Sequence, residues 1–588
     1  MPRRRSRPLL VWAAVAVVTL AGWAALTWPL ALQPDDIWTV RSSPGARGAP
    51  VAGNRPGTLL GGDHLQNAFI QSVVVDNLRE LRNPYLDLRE GAAGPAPLRT
   101  TSLDLPWTPV VAVLWPLAGL QAAYNANLLL STLVTGLAAF GWLRRHTAWP
   151  LLAAAGALAY TFTPHRMFQL TSHFNAVMWW AFPAALWAFE VAMERHRAGR
   201  PWMRPALAVV AVTVTVAVSG EYHLILYLTG LLCFLVAWTL ATAVLARRPA
   251  AGRSVPWAPA ATVVAGVVVG VAYVLLAFRA VFKGTVAGTN GSWQQVLLYA
   301  PASARALVQQ TYGMLGEGII YVGWAVVALA AAGFVAALAG RDRSRSARPY
   351  AVVLVPVLLL TLGPAADLGP LRPYRFAFDH LPFLSLQRVP QRLMVVTSLL
   401  LVLLAVCTLD LAIGRMAANR PHTLRAAAAV LLAATLLLLN DYVIGRNVVM
   451  PDVDDNRVVA ALKASGDRAG PIVGVPIVSK TSPWNSVSTY VAALSRRRTL
   501  NAYNQTPAPW LHERLRRLQP LNEGRVDAAT LRVLRGTGAT QLVVIHEPHE
   551  HERPGEWRSI VDRLTASGRF RLVASDGPLA LLELTARS

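Results

Sequence analysis

GGDHLQNAFIQ, residues 61–71, interrupts a chain of 588 residues that is 54% hydrophobic. Two glycines and a carboxylate, placed soon after a long apolar segment, mark a point where the chain leaves hydrocarbon for polar work. From His64 onward Leu65, Phe69, Val73, Leu78 and Leu81 recur at helical spacing, while Gln66, Asp76, Arg79 and Glu80 fill the opposite face. The spacing predicts an amphipathic helix lying on a membrane surface. Asp63 stands at its start, and Gly61 and Gly62 permit a close backbone approach that leaves the carboxylate uncrowded. Aspartate also suits a helix N-cap, and the two roles are compatible.

The totals agree with a membrane chain. A mean hydropathy of +0.40 with 15% charged residues excludes an ordinary soluble protein. The net charge of +24 is almost all arginine spaced between apolar runs, which argues for membrane topology and against a nucleic-acid partner. Only Cys233 and Cys407 occur, both inside apolar runs, so neither a disulfide framework nor a cysteine-ligated metal is expected. MPRRRSRP followed by Leu9–Leu30 is longer than the apolar part of a cleaved signal and reads as a retained anchor.

Crossing a bilayer takes roughly 20 apolar residues. The candidates are Leu9–Leu30, Tyr124–Leu143, Trp149–Phe162, Phe174–Ala192, Pro205–Val218, Leu224–Ala246, Ala258–Phe278, Ile319–Ala339, Tyr350–Leu362, Leu393–Ile413 and Ala426–Ile444, about eleven spans in all. Alternate connections carry the arginines: Arg3 to Arg7, Arg144 and Arg145, Arg195 to Arg204, Arg247 to Arg253, Arg341 to Arg348, and Arg415 to Arg425. Short arginine-rich loops stay cytoplasmic, so the N-terminus is expected inside and the C-terminal portion outside. LPWTPVVAVLWPLAGL, residues 105–120, would break this alternation if it crossed, and is expected to lie along the outer surface or to re-enter. Residues 32–122, 280–317 and everything after about 446 then face outward, and chemistry is expected there.

The expected fold is a polytopic α-helical membrane domain, residues 1–446, followed by a small extracytoplasmic α/β domain, residues 447–588. In the latter PIVGVPIV and TQLVVIH read as buried strands, and VDAATLRVLRGTG as a helix closed by glycine. GEWRSIVDRLTASG, FRLVASD and LALLELT continue the alternation. NAYNQTPAPW offers either a plain loop or a tyrosine and tryptophan for stacking on carbohydrate.

Asp35 and Asp36, in LQPDDIW, either mark the end of the first span or hold a divalent cation, Mg or Mn, that would bind phosphate oxygens. The basic tail, single span, long outer loop with an acidic residue, further spans and soluble outer domain together resemble the GT-C superfamily of membrane glycosyltransferases. GGDHLQNAFIQ, YNANLLLSTLVTGLAAFGWLRRHT and AAAGALAYTFTPHRMFQLTSHFNAVMWWAFP are similar in particular to its YfhO-like bacterial branch. The resemblance implies a polyprenyl-phosphate sugar donor, a glycan or glycolipid acceptor, a bacterial plasma membrane location, and Asp63 as general base. Members with an adjacent acidic pair at the catalytic position differ from this chain, in which His64 follows Asp63. Metal dependence is open on that ground.

Other polar groups sit at the expected outer ends of spans. In TPHRMFQLTSH and the residues that follow, His165, Arg166, Gln169, His173 and Asn175 suit either hydrogen bonding to sugar and phosphate or interfacial snorkelling. The His165 to His173 spacing does not suit zinc. Glu221, Tyr222 and His223 lie in a tight turn, where the carboxylate either orients an acceptor or pairs with an arginine. LRPYRFAFDHLPFLSLQRVPQR places Arg372, Arg375, Arg388 and Arg392 outside, against the charge rule, and arginine matches phosphate geometry. RVPQR resembles the donor-phosphate region of the superfamily, with Arg388 and Arg392 as its candidates and lipid headgroups as the competing partner. A glycolipid transporter or flippase, which would show repeats and charge near mid-membrane, and a non-catalytic envelope assembly protein are the alternative functions.

Overall fold

A computed structural model describes residues 8–40, 59, 61–87, 89, 96–97, 103–171, 173–245, 255–277, 279, 292–301, 303–309, 319–340, 345–367, 369–381, 384, 387–419, 435, 447–450, 452–466, 469–478, 482–503, 509–546 and 556–585. Its first ten helices in chain order are α1 (Pro8–Leu26), α2 (Asp63–Arg79), α3 (Thr108–Ala118), α4 (Leu120–Leu143), α5 (Pro150–Thr161), α6 (Pro164–Leu170), α7 (Ala181–Arg197), α8 (Met203–Val218), α9 (Tyr222–Leu245) and α10 (Trp257–Ala277). Helices Trp324–Leu338, Arg348–Leu362 and Met394–Asn419 complete the bundle. Among the described residues seven helices are long and apolar enough to cross a membrane, and Pro150–Thr161, Met203–Val218 and Trp324–Leu338 are shorter apolar helices. The expected span Ala426–Ile444 lies outside the described residues apart from residue 435.

The two ends of the bundle differ chemically, and α4 displays both. Its 24 residues extend about 36 Å at 1.5 Å per residue. Near its start Asn125 donates to the carbonyls of Pro34 and Asp36, and Asn127 donates to Asp104. Beyond its other end Arg145 pairs with Glu190 and Glu194 of α7, and Tyr350 donates to Glu190. Asp410 accepts there from Thr147 and the Ala148 N–H. Arg145 and the Asp104 neighbourhood thus occupy opposite ends, as the arginine alternation requires.

Segment 105–120 does not cross. Helix α3 has 11 residues, Pro116 inside it, and Gly119 at φ 85 turns the chain directly into α4. Val111 and Trp115 are buried while Val113 and Leu117 are exposed, the division of an interfacial helix.

Helix α2 overturns one expectation: it is not an amphipathic surface helix. His64 through Val75, and Asn77, are buried, and exposure begins only at its last residues, Leu78 and Arg79, and continues into Glu80 and Leu81. Burial of both faces is possible because the polar face is covered by protein. The helix Asn485–Ser495 of the C-terminal region packs across α2, the Gly62 N–H donates to Ser486 Oγ at 2.8 Å, and Gln66 donates to the Tyr503 carbonyl. A Cβ at Gly61 would lie 2.5 Å from the Pro483 carbonyl oxygen, so glycine is needed for this approach. Strands β1 (Ile37–Val40) and β4 (Asn447–Met450) pair antiparallel, tying the segment after α1 to the chain leading into the C-terminal domain. A short antiparallel ribbon of β2 (Leu86–Asp87) and β3 (Ala96–Pro97) lies between α2 and α3.

The C-terminal sheet contains β5 (Ile472–Val475), β6 (Gln541–Ile545), β7 (Phe570–Asp576) and β8 (Leu579–Leu584) in the order β5-β6-β8-β7, with β5 and β6 parallel and the rest antiparallel. β6 is buried throughout because both faces are covered: Leu542 and Val544 join the domain's own core, while Val543 and Ile545 join the larger core of the molecule. The preceding helix Ala528–Thr537 is capped by Asp527 and ended by Gly538 at φ 70, as its sequence predicts.

Asp452, at the junction of the two domains, accepts from the Tyr490 hydroxyl at 2.6 Å. Burial pushes its carboxyl up to about 7; the Tyr490 and Val453 hydrogen bonds oppose the rise, and Asp454 and Asp35 add to it. The folded form therefore holds this proton more tightly than the unfolded chain, whose ordinary value is 3.8. Its stabilising contribution is complete below that value and is lost as pH rises through about 7. We expect the thermal midpoint in detergent to fall between about pH 4 and 7, and the fall to be shallower in Asp452→Asn.

Candidate functional site

Asp63 is the first residue of α2, and Gly62 occupies the N-cap. The carboxylate does not cap its own helix. Its Oδ1 accepts from the Tyr503 hydroxyl at 2.5 Å, and its Oδ2 lies 3.4 Å from Nε2 of His173. The helix start favours negative charge here, since unpaired N–H groups and the macrodipole both point toward it. With 27% of its side chain exposed, Asp63 is held from two sides yet reachable.

A second acidic centre lies close by. Asp104 is fully buried just ahead of α3, in the left-handed region at φ 52, where aspartate is among the few side chains tolerated. Its Oδ2 accepts from Asn127 at 2.7 Å, and its Oδ1 has no partner among the described residues. Burial holds its carboxyl well above the usual carboxylate range; Asn127 opposes this and the neighbouring Glu221 adds to it. Tyr124, which accepts from Asn67 of α2, lies within the field of both Asp104 and Asp63 and links the two centres. Asp104 was not singled out by the sequence reading; its signal is an aspartate placed directly before the interfacial LPWTP helix.

The predicted residues divide between this region and the bundle interior. Glu221 is buried beside Asp104, and the His223 ring meets the Gln387 amide. Arg388 and Arg392 both act on His223 through their charge, so RVPQR converges on the SGEYH turn. Arg388 lies over the Tyr299 ring at 5.4 Å, and among the described residues no carboxylate is within ion-pair distance of it. Arg372 is exposed, and Arg375 is engaged by Asp379 and by the Trp293 ring. His173 reaches Asp63, as described, whereas His165 is buried against Trp179 and bonds the Ile319 carbonyl through Nδ1.

Two positions depart from expectation. Arg166 does not snorkel to an interface: it is fully buried, with its guanidinium on Thr132 and Thr135 of α4 and the Thr161 carbonyl. The α6 turn folds inward because these hydroxyls supply acceptors at depth. Tyr503, read with NAYNQTPAPW as a loop or a carbohydrate platform, is buried against Asp63 instead. The amide of Gln169 and Oδ1 of Asn175 are buried without a partner among the described residues, which leaves hydrogen-bonding capacity for water or a substrate hydroxyl.

The donors for a divalent cation are not assembled at the expected pair. Asp35 is exposed, and Asp36, raised by burial and by Asp35, accepts the Asp452 N–H. Among the described residues no group of three or more His, Cys, Asp or Glu side chains could hold a metal ion, and no step below passes through one.

No protein-family model and no curated protein matches the sequence. Solved structures do match. The archaeal oligosaccharyltransferase AglB from Archaeoglobus fulgidus, in complex with an inhibitory peptide and a dolichol-phosphate, aligns with a TM-score of 0.50 at 9% identity, over 98% of this chain and 74% of that one. The arabinofuranosyltransferase AftD from Mycobacteria aligns with a TM-score of 0.53 at 16% identity, over 99% of this chain and 42% of that one. The chain has the GT-C fold.

If Asp104 is protonated in the folded protein, an amide should replace it with little loss. Asp104→Asn is expected to stay within about 1 kcal/mol of the parent in thermal unfolding at pH 7, because asparagine keeps the acceptor and tolerates the left-handed backbone. Asp104→Ala is expected to cost roughly 1–3 kcal/mol by leaving the Asn127 amide unpaired.

Proposed function

We propose that this protein is an integral-membrane glycosyltransferase that moves a sugar, hexose or pentose, from a polyprenyl-phosphate carrier to an extracytoplasmic glycan or glycolipid acceptor. The observation that carries the reading is a GT-C fold with an accessible carboxylate, Asp63, and an arginine pair, Arg388 and Arg392, at the end of the bundle opposite Arg145. AglB, which shares the fold, was solved with a dolichol-phosphate, so a lipid phosphate is a ligand the architecture accommodates.

In this reading the acceptor hydroxyl binds within reach of Asp63. As its oxygen forms the new bond to the anomeric carbon, Asp63 takes the hydroxyl proton and the bond from that carbon to the phosphate oxygen breaks. The electron pair leaves on the lipid phosphate, where Arg388 and Arg392 offset the developing charge through bidentate donors. Burial disfavours negative charge on Asp104 and so limits its opposition to the phosphate. Gln169 and Asn175 provide further capacity for sugar hydroxyls. A surface reaction fits better than transport, because the acidic groups of the described bundle lie at its two ends, with Glu190, Glu194 and Asp410 opposite Asp63 and Asp104, instead of along a path through it.

The test is transfer by purified protein in detergent from a panel of radiolabelled polyprenyl-phosphate sugars. Asp63→Asn is expected to lower turnover roughly 10²–10⁴-fold, the usual contribution of a general base. Arg388→Ala is expected to raise the donor KM about tenfold or more, through loss of a charge-assisted contact. Undiminished transfer by Asp63→Asn would remove Asp63 from the mechanism, and absence of transfer by the wild type from every donor would sink the assignment.

A further inference from the structure

The outer domain does more than cover the membrane domain. We propose that Tyr503 is a positioning residue for Asp63, so that the C-terminal domain completes the reaction site; this rests on the glycosyltransferase reading above. A carboxylate only accepts, so the phenol is the donor in the 2.5 Å contact to Oδ1. The ring is buried at 6% exposure, and the residue is fixed from both sides. Its carbonyl accepts from Gln66 Nε2 at 2.8 Å, which anchors it to the first turns of α2. Two residues earlier, Asn501 clasps the backbone of β5: it accepts from the Gly474 N–H at 2.7 Å and donates to the Gly474 carbonyl at 3.1 Å. The Leu500 N–H and the Ile472 carbonyl extend this attachment to the sheet.

The segment thus carries the rigidity of the soluble sheet into the membrane-domain site. Asp63 depends on it, because Gly62 before the carboxylate has no side chain to restrain it and α2 offers it no cap. With Oδ1 held by Tyr503 and Oδ2 facing His173, the carboxylate has one rotamer, and the remaining lone pairs are presented to the acceptor. A phenol donor also favours the ionised form, which is the form that acts as base.

The experiment compares full-length wild type, Tyr503→Phe, and protein carrying fluorinated tyrosine at position 503, in the transfer assay across pH. Tyr503→Phe keeps the ring and removes the donor. We expect kcat to fall roughly ten- to hundredfold with acceptor and donor KM little changed, and the low-pH limb of the rate profile to move to higher pH. Fluorinated tyrosine, a stronger donor of nearly the same shape, should move that limb in the opposite direction. Wild-type transfer with an unaltered limb and kcat in Tyr503→Phe would overturn the role of Tyr503 while leaving glycosyl transfer intact. A general loss of kcat in every variant with no displacement of the limb marks a merely structural contact and also overturns it. A wild type that transfers from no donor would overturn the underlying reading, and this proposal with it.

Discussion

A helix that carries Gln66, Asn67 and Gln71 on its buried surface and a carboxylate in its first turn cannot be immersed in lipid or in an apolar core without partners. Each unpaired amide would cost about 1–3 kcal/mol. The structure satisfies α2 from two directions: Tyr124 and the Leu103 carbonyl on the helical-bundle side, Ser486 and the Tyr503 carbonyl on the side of the C-terminal region. The C-terminal region is therefore a structural requirement of the Asp63 helix. The glycine at position 61 and the β1–β4 ribbon are the backbone devices that let the two meet.

That constraint places unlike charges at separate addresses. Asp63 stays at the partly open helix start, Asp104 and Glu221 are buried behind it, and Arg388 and Arg392 converge on the adjoining turn through His223. The two acids differ in surroundings: Asp63 is partly open, whereas burial raises the Asp104 carboxyl well above the usual carboxylate range. At the opposite end Arg145, Glu190 and Tyr350 are mutual partners, with Tyr350 buried and Arg145 exposed, and they join the end of α4 to α7 and the helix Arg348–Leu362.

Much of this was legible in the sequence. The spans followed from apolar run length, the two-ended distribution of polar groups from the arginines, and the outer sheet from β-patterned runs punctuated by Gly538 and its neighbours. Residue type and position alone singled out Asp63, His173, Glu221, His223, Arg388 and Arg392 as candidates, and the structure brings Asp63 to His173 and Arg388 and Arg392 to His223. What was not legible depends on contacts distant in sequence. Tyr503 lies 440 residues from Asp63, and no local pattern reports that pairing. The surface-helix reading of α2 failed because periodicity shows that a helix has a polar face and not what covers it. Asp104 escaped notice because an isolated aspartate before an interfacial helix looks like a solvated cap until Asn127 and Glu221 are brought to it. Arg166 was misplaced for the same reason: three threonines from two other helices give it an interior.

The most direct measurement is a cryo-EM structure of the full-length protein in nanodiscs with a bound polyprenyl phosphate. The phosphate should lie against Arg388 and Arg392, in a cavity that also opens on the Asp63 carboxylate. A phosphate seated elsewhere, or an Asp63 walled off from the lipid by protein, would contradict the site described here.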